Sequence, residues 1–329
     1  MTSTSPGKRS CLLVLGMHRA GTSALSGMLV NMGAAQAQTL MEPHESNPRG
    51  FFESVAVRDL NDALLAKLGS NWRDWRTLPQ GWTETPEVQA LESEAVSLIG
   101  SEFGESETFV VKDPRICRIL PFWRSVLARI EVRVLVVHTH RHPDEVAASL
   151  AERYNFEPAF SRLLWLRHVL EAEAGSRGLQ RCFTSYERLL SDPVVESTRI
   201  IGCLQLALDP EFDVEGFISS DLRNHRIDSA SSTSGVPGLP IWCRETLAIL
   251  ERCVSVKEEE LVADVTARDK AALDRIRGEL DSAVDAIGPI LDNDRANERK
   301  LHHALKSLKE CRQKLSDLQV DLARARGET

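Results

Sequence analysis

A chain of 329 residues, 42% of them hydrophobic, has room for one large α/β domain and an appendage. A formal net charge of −8 argues against a nucleic-acid partner, since phosphate-backbone affinity needs a basic surface. Seven scattered cysteines without a CxxC pair read as buried thiols of a reducing compartment, neither a disulfide framework nor a zinc site. No apolar run reaches bilayer-spanning length, and "CLLVLG" near the N-terminus is too short for a signal segment. The expected location is cytoplasmic, with no transmembrane segment.

In chain order, strands are expected at 11–16 (CLLVLG), 108–113 (TFVVKD), 132–140 (VRVLVVHTH) and 180–186 (QRCFTSY). The first three are nearly continuous in apolar residues, which suits strands buried on both faces of a parallel sheet. Helical spacing separates them. It runs from 22 to about Gly33, then over 53–68, 86–102 and 116–130, and from Pro143 onward; 157–175 and 193–206 complete the domain. Alternation of strand and helix predicts an α/β fold: a three-layer P-loop-like domain with a central parallel sheet flanked by helices. Its expected extent is 10–255.

Residues 225–240 are rich in Ser, Gly and Pro and read as a loop. From 256 to 329 a helical extension is expected, interrupted by Gly288 and Pro289. Leu301, Leu305, Leu308, Leu315, Leu318 and Leu322 form a partial heptad, broken by Arg312 and Gln319. Three readings fit it: a surface hairpin, a coiled coil that makes a homodimer, or a tail without structure of its own.

The first strand feeds "GMHRAGTSAL" (16–25), which has the outline of a phosphate-binding loop between Gly16 and Gly21. Backbone N–H groups and a helix N-terminus there surround an anion. The lysine of an ATPase-type loop is replaced by Thr22, which disfavours NTP hydrolysis. Thr22 and Ser23 remain to bond a terminal phosphate, with Arg19 on its other side. A second constellation ends the third strand, where Arg141 is followed eight residues later by Ser149 inside the next helix. Together the two point to a nucleotide carrying phosphates at two separate places.

On these motifs the chain resembles the sulfotransferases that use 3′-phosphoadenosine 5′-phosphosulfate (PAPS). The family loop [PH]-[KR]-[SA]-G-T-[TS] is matched by His18, Arg19, Ala20, Gly21, Thr22 and Ser23, and its 3′-phosphate pair by Arg141 and Ser149. Ala20 stands where Ser is commoner, which removes a hydroxyl while leaving the backbone donors. "VVKDPRICRILPFW" (110–123) and "YERLLSDP" (186–193) extend the likeness, which spans roughly 10–210 and resembles bacterial glycan sulfotransferases most, tyrosylprotein sulfotransferases more distantly.

The resemblance implies PAPS as donor, PAP as product, and a carbohydrate or glycolipid hydroxyl as acceptor. It implies Arg19 and Lys112 as the catalytic cations at the leaving oxygen and the sulfuryl group. No metal is implied, because no γ-phosphate needs neutralising. For the base that deprotonates the acceptor, Glu53 is favoured after the aromatic pair Phe51–Phe52, with His44 and Glu45 as alternatives. Trp72, Trp75 and Trp82 read either as sugar-stacking rings or as a flap over the domain, and 221–226 (DLRNHR) as an acceptor wall or a connector. Two rival functions stand beside this one: a P-loop kinase, and a degenerate scaffold whose helical C-terminus does the work.

Overall fold

The computed structural model describes residues 9–44, 47, 49–209, 214–218, 239–254 and 265–288. The four apolar runs form one sheet: β1 (Ser10–Leu15), β2 (Thr108–Lys112), β3 (Arg133–His140) and β4 (Gln180–Ser185). Every pairing is parallel and the order is β2-β1-β3-β4. Helices α1 (Thr22–Asn31), α2 (Val55–Lys67) and α3 (Pro86–Phe103) lie between β1 and β2 in the chain, and α4 (Ile116–Arg129) joins β2 to β3. Next, α5 (Pro143–Tyr154) and α6 (Pro158–Ser176) join β3 to β4, before α7 (Tyr186–Ser191), α8 (Pro193–Leu204), α9 (Val214–Phe217) and α10 (Ile241–Val254).

Helix starts follow sequence chemistry. Proline opens α3, α5, α6 and α8, where its missing N–H costs nothing. Ser54, Ser185 and Asp192 cap α2, α7 and α8 through their side-chain oxygens. Successive β1 side chains then enter opposite layers. Leu13 and Leu15 pack with Leu64, Ile99 and Trp123 of α2–α4, whereas Leu12 and Val14 pack with Leu25, Met28 and Ile200 of α1 and α8. A continuous apolar strand is what this two-sided burial requires. Each fully buried Leu or Val contributes about 1.5–3 kcal/mol. Beyond the edge strand β2, Ala35 N donates to Thr108 O and Val110 N to Ala35 O, both at 2.9 Å, which pins the segment after α1 to the sheet.

The structure departs from expectation in several places. Glu53 lies two residues before α2 rather than inside it, because Ser54 takes the cap. Helices α7 and α10 were not anticipated from the sequence pattern. Two compact units divide the chain, 1–277 and 278–329. Val265, Leu273 and Ile276 are buried, and Asp269 and Asp274 pair with Arg252 (2.6 Å) and Arg177 (2.8 Å), which is why the first unit continues to Arg277. Of the second unit, 278–288 are described and helical. Helix continues through Gly288; the leucine heptad, 221–226 and 225–238 lie outside the described residues. No described helix is long and apolar enough to cross a membrane.

Candidate active site

With the order β2-β1-β3-β4, the chain leaves β1 toward one side and returns to the other, and ligands of such sheets bind beyond the strand C-termini at that reversal. Three candidate groups sit there: the loop after β1, Lys112 ending β2, and Arg141 just past β3. They line one cavity of about 900 Å³. Among the described residues, eight cationic side chains line it (Arg19, Arg49, Arg58, Arg73, Lys112, Arg115, Arg141 and Arg153) against two carboxylates, Glu53 and Glu152. In a chain of net charge −8, that concentration of positive charge marks an anion site.

Backbone geometry shapes the loop. Gly16 permits close approach to β3, since a Cβ there would lie 2.5 Å from Thr139 O. Gly21 caps α1 at φ 87°, and a Cβ would lie 2.4 Å from the Tyr186 ring. Arg19 is also left-handed at φ 70°, a conformation that non-glycine residues hold mainly where the fold or a ligand demands it. Thr22, Ser23 and the following residue present first-turn N–H groups that have no intrahelical acceptor.

Ala20 behaves differently from the expectation. Its N–H donates to Met17 O (3.1 Å), its carbonyl accepts from Thr139 Oγ1 (3.2 Å), and its methyl is fully buried. Both backbone groups are occupied within the fold, and Ala20 does not line the cavity. His18 is half-buried beneath Trp72, ring centroids 4.5 Å apart. Burial, then the nearby Arg115, His168, Lys112 and Arg19, holds its pKa well below the usual histidine value, so the ring is neutral. Its Nδ1 is enclosed and has no hydrogen-bond partner among the described residues.

The two phosphate motifs meet directly. Arg19 Nε donates to Ser149 Oγ at 2.8 Å, and Arg141 Nη1 reaches Arg19 O at 3.5 Å. Arg141 is buried, pairs with Glu145 one turn into α5 (2.6 Å), and lies over the Tyr186 ring at 4.9 Å. Burial and the neighbouring Arg153 and Arg141 lower the Arg19 pKa from its ordinary value, though a guanidinium stays charged.

A third cluster forms the cavity floor. Residues 39–41 run beside 53–55: Val55 N donates to Thr39 O (2.7 Å) and Met41 N to Glu53 O (2.8 Å), which holds Glu53 in place. Phe52, just before it, is left-handed at φ 53°. Lys112 Nζ then donates to Ser23 Oγ (3.1 Å), to Phe51 O (2.9 Å) and to the Glu53 carboxylate. Lys112 and Glu53 are buried, 3% and 7% exposed, so their charges answer each other instead of water. Asp113, next to Lys112 in sequence, accepts instead from Arg115 Nη1 (3.0 Å) and Asn61 Nδ2 (3.1 Å), which fixes the turn beyond β2. Burial raises the Glu53 carboxyl above the usual carboxylate range, against the opposing charge of Lys112.

Of the alternative bases, His44 is exposed at the cavity wall, and Glu45 lies outside the described residues. The three tryptophans separate. Trp75 is buried with its carbonyl bonded by Arg167 Nε (2.7 Å), Trp82 packs on the core, and Trp72 alone lines the cavity. Sequence reasoning passed over Tyr186 and Asn47, whose Nδ2 donates to Ser23 Oγ (3.2 Å). Tyr186 had a signal, being an aromatic immediately after a strand that ends beside the loop.

A profile of the sulfotransferase family matches residues 12–210, which contain the loop, Glu53, Lys112, Arg141, Ser149 and Tyr186. The chain belongs to the sulfotransferase family. Two solved structures are similar to it. The sulfotransferase domain from the Synechococcus PCC 7002 olefin synthase is 17% identical with a TM-score of 0.42, covering 84% of this chain and 98% of that one. The sulfotransferase domain from the curacin biosynthetic pathway is 14% identical with a TM-score of 0.42, covering 74% of this chain and 98% of that one. No curated protein matches the chain. Its loop, cation, clamp and base candidates all line the switch-point cavity except Ala20, which is buried, and Glu45, which lies outside the described residues.

Proposed function

We propose that the protein transfers a sulfuryl group from PAPS to a hydroxyl of a carbohydrate or glycolipid. The observation that carries this reading is the Lys112 Nζ contact to Ser23 Oγ, Phe51 O and Glu53, which joins the anion loop to a cation and a buried carboxylate at one point. The cavity suits the donor on two counts: its cationic lining, and the cradle of Gly21 against Tyr186, which a Cβ would fill.

In this reading the loop from His18 to Ser23 holds the 5′ end, with the backbone around Gly21 and the hydroxyls of Thr22 and Ser23 facing it. Ala20 contributes by bracing the loop on β3. Arg141 and Ser149 hold the 3′-phosphate, with Tyr186 alongside. When bound, PAPS supplies the sulfuryl group, and its phosphate end departs as PAP. Glu53 accepts the acceptor's hydroxyl proton; burial makes it a stronger base than an ordinary carboxylate. Arg19 directs positive charge at the departing oxygen, and Lys112 at the sulfuryl group and the oxygen that bridges it. A donor of this kind in a water-poor site is worth about 2.7–4 kcal/mol of barrier. No group of three or more potential ligands that could hold a metal occurs among the described residues, and the reading requires none. The carbohydrate assignment follows the resemblance of the loop, the Lys112 segment and the Arg141–Ser149 pair to bacterial glycan sulfotransferases.

Incubation with ³⁵S-labelled PAPS and fractionated glycans, lipids and peptides tests the proposal. Label appearing in a glycan or glycolipid fraction is the expected result. Label only in peptides overturns the acceptor class; stabilisation by ATP with Mg²⁺ and none by PAP overturns the donor.

A further inference from the structure

The cavity holds a cation that the donor reading does not use. Arg73, exposed at the cavity wall, sits over three aromatic rings, with its guanidinium carbon 5.0 Å from the Trp72 centroid, 5.7 Å from Tyr154 and 5.3 Å from Phe156. Stacking of this kind holds the planar group in place and leaves its edge donors directed outward. No carboxylate pairs with Arg73 among the described residues. The contrast lies three residues on, where Arg76 pairs with Asp74 at 2.9 Å.

Position supports a ligand role. From the transfer point outward the contacts form a row: Lys112 Nζ on Phe51 O, Arg153 over the Phe51 ring (5.5 Å), Arg153 over Tyr154 (5.4 Å), then Arg73 over Tyr154. The ring that Arg141 covers is a different one, Tyr186. Two guanidiniums on one tyrosine concentrate positive charge along a path lined by aromatic faces, and a forked guanidinium matches a carboxylate, sulfate or phosphate. Resting on the sulfotransfer reading above, we infer that Arg73, seated on Trp72, Tyr154 and Phe156, binds an anionic group carried by the acceptor. The acceptor class is therefore an acidic glycan or glycolipid, its hydroxyl at Glu53 and its anion at the rim.

The matched probes 4-nitrophenyl β-D-glucuronide and 4-nitrophenyl β-D-glucoside differ by a carboxylate against a hydroxymethyl group. Their dissociation constants are measured by calorimetry on the full chain, with and without saturating PAP. A glucuronide preference of about tenfold is expected, the size of one charge-assisted contact at an exposed site. Arg73→Gln should bring the ratio close to one, and Arg73→Lys, which keeps charge without the fork, should leave an intermediate ratio. The inference is overturned if the wild-type protein shows no preference, including the case where neither probe binds. It is equally overturned if the preference survives Arg73→Gln in a folded variant, or if that variant loses PAP affinity, which would make Arg73 a donor residue. Failure of PAP to bind the wild-type protein sinks the sulfotransfer reading instead, and the probe ratio without PAP keeps the two outcomes apart.

Discussion

Lys112 and Glu53 neutralise each other at the floor of the cavity, the ammonium donating to the Glu53 carboxylate and to Phe51 O of the same segment. The proposed base and the proposed cation thus share one hydrogen bond before any ligand arrives. Their pairing fixes both rotamers and sets how each responds to loss of the other.

The acid limb of activity should report this pair. Burial raises the Glu53 pKa, so turnover should fall as pH drops through a value above that of an ordinary carboxylate, about 4.3. Lys112→Met removes a charge that favours the ionised form, so the limb should move to still higher pH. The plateau should also fall, by about 10²–10³ for a lost charge-stabilising donor. A pH–rate profile checks both; a limb that stays in place or moves down refutes the coupling.

Glu53→Gln keeps the shape and removes the basicity. Turnover should fall about 10²–10⁴-fold with PAP affinity nearly unchanged. A nitrophenol acceptor already ionised at neutral pH should partly rescue Glu53→Gln and not Lys112→Met. Full activity of Glu53→Gln on a hydroxyl acceptor transfers the role to His44 or Glu45.

The 3′-phosphate clamp is tested by comparing ligands. PAP should raise the melting temperature well beyond 5′-AMP, which lacks that phosphate. Ser149→Ala should narrow the difference. Arg141→Ala should remove most of it, a loss of about 1.5–3 kcal/mol in PAP binding. Because Arg141 also balances the buried Glu145, its variant must be compared with its own ligand-free form. Equal stabilisation by both nucleotides would refute the clamp.

Truncation after Arg277 should leave a folded protein that binds PAP. Ending the chain at 255 removes the buried Leu273 and Ile276 and the partners of Arg177 and Arg252, so the melting temperature should drop by several degrees. Identical melting curves for the two truncations would show that 265–277 adds nothing.

The sheet was legible because two-sided burial leaves a plain mark, a run such as Cys11–Leu15 with no polar interruption. Arg141 and Ser149 were legible through their spacing, a strand end followed eight residues later by a helix position, and the loop through its paired glycines. The floor of the site was not. The link from Lys112 to Phe51 O spans 61 residues of sequence, and no local pattern announces a contact of that range. Trp72 and Trp75 look alike in sequence, yet one lines the cavity and the other is core, a difference set by tertiary packing. Helix α10 escaped notice because its apolar stripe, Leu247, Ile249, Leu250 and Cys253, follows a stretch whose composition signals a loop.

Ala35 bears on how the protein meets copies of itself. Edge strands offer open N–H and C=O groups to any neighbouring chain, a common origin of fibrous assembly. On β2 two of those groups, Val110 N and Thr108 O, are taken by Ala35 of the same molecule. A second copy approaching along that flank finds a single-residue plug where a template would otherwise be. The segment that carries Glu53 to Lys112 begins at this plug, so the hydrogen bonds that anchor it also keep the sheet from growing sideways.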